Sequence, residues 1–567
     1  MVPNLTTRRT ASPKYWHDQN FTRRDALYRL GSVAAFALFT TTPACAQSTP
    51  DQPGDDDILL ERLLSGASPH IPMRSTPYRV TRSIHLPQGM SVTLDAGVRL
   101  IWAGPTGSLT SLIGVFVATG NDVAIVAKGN GATVECAVPS PFVYAALMRG
   151  FSGFTVTGLH ARECQHVHVN ASTDDYDRVR LDGPDANAAR NVRITGGGAS
   201  YAKPQLTGHG ACFLHFSRSC TVRDARYRNV PNGLQWWGGN ADPVRPPANG
   251  GAKNERKCRD IVIENVSTEQ VAGAGIWGAM GSNIIVRDCM VAEVGDVGFD
   301  AEGCNRVTFE RCTARNAHNG CFSTFFLCNG IRFVDCTGIV DKKTYPLVRV
   351  YNESQTNNDN LGLEIVGGTF ECRDPDGTST IDTANGPVGT LLITRVTLKN
   401  VRIDVAHSNM HRTVITHNVL DFTRPLDSLT AISAGSSKSL QRAPTVIPGS
   451  VVIEDNSIRY IASTPGEGTA TAIKLREDDF NSSATDRVRR NRISGAFGTG
   501  IAIVNASPNR GIVPHVTVEG NVFRTLAPKA RLLSIVMETA GSARPTVSWD
   551  PTQLRDGRAV PLSTALR

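Results

Sequence analysis

The stretch GDVGFDAEGC (295–304) gathers three carboxylates, Asp296, Asp300 and Glu302, with His318 following downstream. Successive side chains of an extended strand point to opposite faces. If Phe299 and Ala301 face a core, Asp300 and Glu302 therefore share the outer face, with Cβ atoms about 7 Å apart. Such a pair can hydrolyse a glycosidic bond: one carboxyl group, protonated, donates to the leaving oxygen while the other, ionised, serves as base or nucleophile. A separation of about 7 Å suits the inverting route, in which a water fits between the two. Asp296 is expected to position that water and His318 to hydrogen-bond nearby at the matching coil end. Gly298 is expected to leave the face open.

Flat side chains that could carry sugar rings surround the acids at repeat spacing. Trp277 is expected beside Asp300 on the preceding coil, and Phe322 or Thr324 on the following one. Gln235 and Trp237 share the outer surface earlier in the chain, and Arg349, Tyr351 and Glu353 follow with the same parity. A second chemistry stays open, β-elimination on a uronic-acid chain. It needs a base and a cation at the uronate; Arg349, Tyr351, Lys253 and His318 are of the right types, and the acids would then bind Ca²⁺. The hydrolytic reading needs neither metal nor cofactor. A third reading is a non-catalytic glycan-binding rod whose outward acids are simply solvated.

These placements assume a repeat, and the sequence carries one. SNIIVRDC (282–289), NRVTFERC (305–312) and NGIRFVDC (329–336) close on Cys289, Cys312 and Cys336, 23 and 24 residues apart. A short period filled with alternating β-branched, aromatic and polar residues argues for strands stacked on strands. One coil cannot bury its apolar side alone, so neighbours must close the core. Units of this form run from SVTLDAG (91–97) to HVTVEGNVF (515–523), most with Asn, Asp or Gly at the bend. The expected fold is all-β, a single right-handed parallel β-helix over 78–535, with insertions at 238–257 and 421–449 and a tail or cap over 536–567. Within a linker over 47–77, DDDILLERLLSGA (55–67) reads as a short helix covering the first coil.

Arg23-Arg24, a mildly apolar run over 30–42 and Ala44-Cys45-Ala46 resemble a twin-arginine export signal over 1–46, which implies export from a bacterial cytoplasm to the periplasm or beyond. Lipid attachment at Cys45 is the alternative. Removing that segment takes away six Lys/Arg and two Asp, so the formal charge falls from +8 to +4 (8 − 6 + 2). A charge so small on more than 500 residues does not call for a nucleic-acid partner, and the basic residues are dispersed. No later run is long and apolar enough to span a bilayer. The 13 cysteines recur at coil period, which suits buried thiol ladders; disulfides remain the alternative in an exported chain.

From Tyr78 to about Phe523, including RVTRSIHLPQGMSVTLDAGVRLIW (79–102), the chain resembles the pectate-lyase-like superfamily of β-helix carbohydrate-active proteins. The resemblance implies a polysaccharide bound along the rod and cleaved by hydrolysis or β-elimination. Thr207-Gly208-His209-Gly210 is similar to the GHG of polygalacturonase-type hydrolases, but it precedes the acids and no Asp-Asp-Cys motif accompanies it, so it reads as a turn. Whether chains associate is not legible.

Overall fold

The computed structural model describes residues 55–566 apart from 242–254, 327, 352–361, 386–387, 406–409, 427, 437–449, 462–469, 478–484, 506–514, 528 and 539–543. The export signal and Cys45 therefore lie outside the described residues.

Each coil lays down three short strands, one in each of three long sheets, and meets the corresponding strands of the next coil in parallel register. The middle coil shows the pattern. Gly281–Arg287 pairs with Asn305–Glu310 in the first sheet, Met290–Val294 with Thr313–Ala317 in the second, and Phe299–Glu302 with Phe322–Phe325 in the third. The fold is a parallel β-helix. Among the described residues the third sheet holds 16 strands, a stack of about 70 Å at ~4.8 Å per strand.

Inward positions of all three sheets form one continuous core. Phe299 and Phe322 stack inside it with centroids 5.2 Å apart and planes 10° apart. The helix forms over Asp55–Leu64 and its Leu60 and Leu64 join this core. Among the described residues, no helix is long and apolar enough to cross a membrane.

Two boundaries differ from expectation. The first coil begins at His70–Ile71, which pairs with Ser91–Leu94 inside the presumed linker. At the other end the coils continue past 535: Thr546–Trp549 extends the first sheet and Leu554–Arg555 the second. An antiparallel turn onto Arg558–Ala559 and a helix over Leu562–Ala565 then close the rod. The span read as an insertion over 421–449 also contains strand Thr430–Ser436 of the third sheet; a few bulky residues at the coil interior were too sparse to reveal it.

The corner between the first and second sheets explains the recurring Asp, Asn and Cys. One residue per coil is left-handed there, among them Asp224, Asn265, Asp288, Arg311 and Asp335, with φ between 50° and 58°. Asn and Asp adopt this conformation most readily of the non-glycine residues. At this turn a backbone N–H points along the rod, away from the sheet ladder, and the next coil's side chain receives it. Val266 N–H meets Cys289 Sγ at 3.4 Å. Farther along, the N–H groups of Asn418, Asn456 and Asn491 meet Oδ1 of Asn456, Asn491 and Asn521 at 3.0, 3.1 and 2.9 Å. Thiols and carboxamides thus occupy one corner in turn. The corner between the third and first sheets uses sulfur alike: Gly281 N–H to Cys304 Sγ at 3.3 Å and Cys304 N–H to Cys328 Sγ at 3.4 Å. All 12 described cysteines are free and buried, so the thiol-ladder expectation holds for them.

Candidate functional site on the outer face of the third sheet

Strand Phe299–Glu302 alternates as its sequence demands: Phe299 and Ala301 belong to the core, which turns Asp300 and Glu302 outward. Register then fixes their neighbours. Phe213, Gln235, Trp277, Asp300, Ser323 and Arg349 stand in one row across six coils. Trp237, Ala279, Glu302, Phe325 and Tyr351 form the row beside it. The expected partnership of Trp277 with Asp300 is present.

The outer face is nevertheless roofed. Asp300 is 0% and Glu302 7% exposed. Trp277, Phe325, Val297 and Ala274 form a small apolar cluster over this part of the sheet, with Trp237 and Phe326 packed against it. The two indoles meet edge to face, centroids 6.2 Å apart at 75°. Trp237 also packs against Tyr176, Val179, Leu181 and Phe216, the small core of an excursion over 171–188 that leaves the sheet after Asn170. Lys257 pins that excursion down: its Nζ donates to Val179 O and Glu255 Oε2, each at 3.0 Å, and lies 5.1 Å from the Tyr176 ring centroid. Burying this ammonium is tolerable because it is paired and hydrogen-bonded. Of the insertion expected to wall the site, residues 255–257 lie against the excursion, and its Pro/Gly-rich part over 242–254 lies outside the described residues. Lys253 lies outside the described residues.

Asp296 is placed at the edge of the roof by a relay. Asn319 Nδ2 donates to Asp296 Oδ1 at 3.0 Å, and Arg349 Nη1 donates to Asn319 Oδ1. Asn319, one period after Asp296, is its true coil-end partner: its N–H bonds Asp296 O at 2.9 Å. His318 stands one position off, exposed, stacked on Tyr345 with centroids 4.5 Å apart. Partial burial and the Lys342 charge lower its pKa, opposed by Glu293 and Asp296.

Four expectations need correction. Phe322 is a core residue, fully buried beneath Phe299, and withdrawing such a side chain costs about 1.5–3 kcal/mol; Thr324, at inward parity, is 1% exposed, and Ser323 is the outward neighbour of Asp300. Gln235 is 5% exposed and its Oε1 accepts the Gly210 N–H at 2.9 Å, which commits the acceptor to the backbone. Gly298 opens nothing: a Cβ there would stand 2.6 Å from Cys321 O, so its role is close approach between coils. Arg349 has the expected parity, and its Nη1 donates to Asn319 Oδ1, which commits that donor to the protein rather than to a uronate. Tyr351 is in register with Phe325, and Glu353 lies outside the described residues.

A group that the sequence reading left unassembled lies on the same face, three coils toward the N-terminus. Phe213 stacks on the imidazoles of His168, His209 and His215 at centroid distances of 5.1, 4.8 and 5.1 Å. Burial lowers the pKa of all three, that of His215 to about 3. Gly208 and His209 do form a bend, yet the His209 ring returns to the sheet. QHVHVN (165–170) and GACFLH (210–215) carried the alternating pattern, but the excursion between them stretches the interval from His168 to Phe213 to nearly two coil lengths.

Among the described residues, no group of three or more His, Cys, Asp or Glu side chains is placed to hold a metal ion. No protein-family model and no curated protein matches the chain. Among solved structures it is similar to the A-module of the Azotobacter vinelandii mannuronan C-5 epimerase AlgE6, with 14% identity over 84% of this chain and 92% of that one and a TM-score of 0.31. It is also similar to the catalytic domain of GH87 alpha-1,3-glucanase in complex with nigerose, with 12% identity over 91% and 70% of the two chains and a TM-score of 0.29. A third is PfbA, a surface adhesin of Streptococcus pneumoniae, with 12% identity over 85% and 89% and a TM-score of 0.26.

Proposed function

We propose that this protein is an exported polysaccharide-degrading enzyme, a glycoside hydrolase whose substrate lies along the outer face of the third sheet. The observation that carries the reading is the burial of two carboxyl groups, Asp300 and Glu302, beside their register neighbours Trp277 and Phe325 on the outer face of the sheet. Taking carboxyl groups out of water is expensive, and a strand that only needed solubility would leave them exposed. Glu302, nearer the edge, is the acid that meets the glycosidic oxygen; Asp300 is its partner in acid/base work. Asp296, held by Asn319 and Arg349, orients the water. For sugar to reach Asp300 the Trp277 indole must swing aside, and the same ring then offers its face to the sugar.

The test is to incubate the chain from Gln47 onward with neutral and acidic polysaccharides, following reducing ends and ultraviolet absorbance together, with and without chelator. New reducing ends without absorbance, lost in Asp300→Asn and in Glu302→Gln, support hydrolysis. An unsaturated product would replace it with β-elimination. Glycan binding without either signal, unchanged in both variants, would leave a non-catalytic rod.

A further inference from the structure

We infer that the imidazole cluster around Phe213 is a second sugar subsite on the same outer face, built for an uncharged, hydroxyl-bearing sugar unit. The inference rests on the polysaccharide reading above and names part of its substrate. Phe213 and Asp300 stand in one outer row with Gln235 and Trp277 between them, about 14 Å apart at three strand spacings, so one extended chain would pass both.

The cluster has a charged rim and an unsatisfied floor. At the rim, Arg149 Nη1 lies 3.8 Å from Asp174 Oδ2, with the side chains 42% and 63% exposed. That is beyond ordinary hydrogen-bond length, so the guanidinium keeps donors and the carboxylate acceptors for a hydroxyl between them. His215 Nδ1 is 3.9 Å from the same carboxylate, and Asn170 Nδ2 donates to it. On the floor, His168 is 1% exposed with neither ring nitrogen bonded among the described residues, and the buried Oδ1 of Asn170 is likewise without a partner there. Buried polar atoms left so cost about 1–3 kcal/mol each, a cost that hydroxyl groups, both donors and acceptors, relieve.

Charge decides the sugar class. Burial holds the three imidazoles neutral, and Arg149 and Asp174 cancel. A uronate would face the Asp174 carboxylate; a neutral sugar meets a balanced set of donors and acceptors.

Calorimetric titration tests this, in a Glu302→Gln background that removes turnover, with cellohexaose, laminarihexaose, maltohexaose, their disaccharides and hexagalacturonate as probes. Arg149→Ala and Asp174→Asn should each weaken a neutral hexasaccharide about 10-fold and its disaccharide less than about 2-fold, with melting temperatures unchanged. Neutral hexasaccharide binding that both variants leave intact overturns the subsite while sparing the site at Asp300 and Glu302. Hexagalacturonate binding tighter than every neutral probe overturns the neutral assignment. No binding by any probe overturns the polysaccharide reading and the subsite together.

Discussion

Trp277 and Asp300 are register partners on adjacent strands of the third sheet, and the indole expected to carry a sugar is packed into an apolar cluster with Phe325, Val297 and Ala274. The ring is therefore both cover and platform. Trp277→Ala should expose Asp300 and strip the platform, raising KM while leaving the fold in place. Steady-state kinetics on the polysaccharide that the panel identifies checks this, and an unchanged KM would separate the indole from the substrate.

Asp300→Asn and Glu302→Gln should each lower kcat about 10²–10⁴-fold, the usual worth of a positioned acid or base. Full activity in either variant would remove that residue from the chemistry.

The Asn319 relay makes a separable prediction. Asn319→Ala removes the donor to Asp296 and the acceptor for Arg349, and should lower kcat about 10-fold through misplacement of Asp296 with KM little changed. Asn319→Asp should fare worse near neutrality, setting two carboxylates where one was bonded by an amide. A rise in KM alone would mean that the relay serves binding.

Acid should destabilise the fold before any carboxylate titrates. Unfolded imidazoles take up protons near pH 6.5, whereas burial lowers His166 and His215 to about 3 in the native state. Between those values the unfolded chain holds more protons, so stability is complete above about pH 6.5 and falls as the pH drops. For His166, fully buried, the loss at pH 4.5 is on the order of 2–3 kcal/mol. Urea midpoints from pH 4.5 to 7 should show the slope, and His166→Phe should flatten it; a flat wild-type curve would contradict the burial of these rings.

The thiols supply the last test. From Gln47 onward the chain has 12 cysteines, all free and buried; burial raises the Cys304 thiol to about 12. Ellman's reagent should find no thiol in the native protein and all of them in denaturant. At the corner itself Cys289→Asn should be tolerated, since a carboxamide does the same work in later coils, while Cys289→Val should cost about 1–3 kcal/mol by leaving the Val266 N–H unpaired.

Most of the scaffold was legible because its causes are local. Alternation set the parity of Phe299 to Glu302, and the period of Cys289, Cys312 and Cys336 marked a corner that recurs in every coil. The candidate site was legible only in part. Cysteine spacing misplaced Phe322: Cys304 and Cys328 are 24 apart, but the extra residue falls after the strand, so strand register advances by 23 and brings Ser323 to Asp300. The same advance assigns Asn319 to Asp296. Burial of the acids was not legible, since Tyr176 and Lys257 come from two excursions that no period relates and meet near the sheet residue Trp237. The histidines around Phe213 escaped for the same reason.

The corner ladders also give the rod a direction of assembly. In the rungs described above the acceptor is supplied by the following coil, and the last of them follows suit: Asn521 N–H donates to Gln553 Oε1 at 2.9 Å. A chain leaving the ribosome therefore always ends in an incomplete layer, finished only when the next one has been synthesised. Stop codons placed successively earlier in the coil region should release proteins that all share the same defect, a bare terminal layer ready to recruit another chain's edge, whereas loss of early coils leaves those rungs intact.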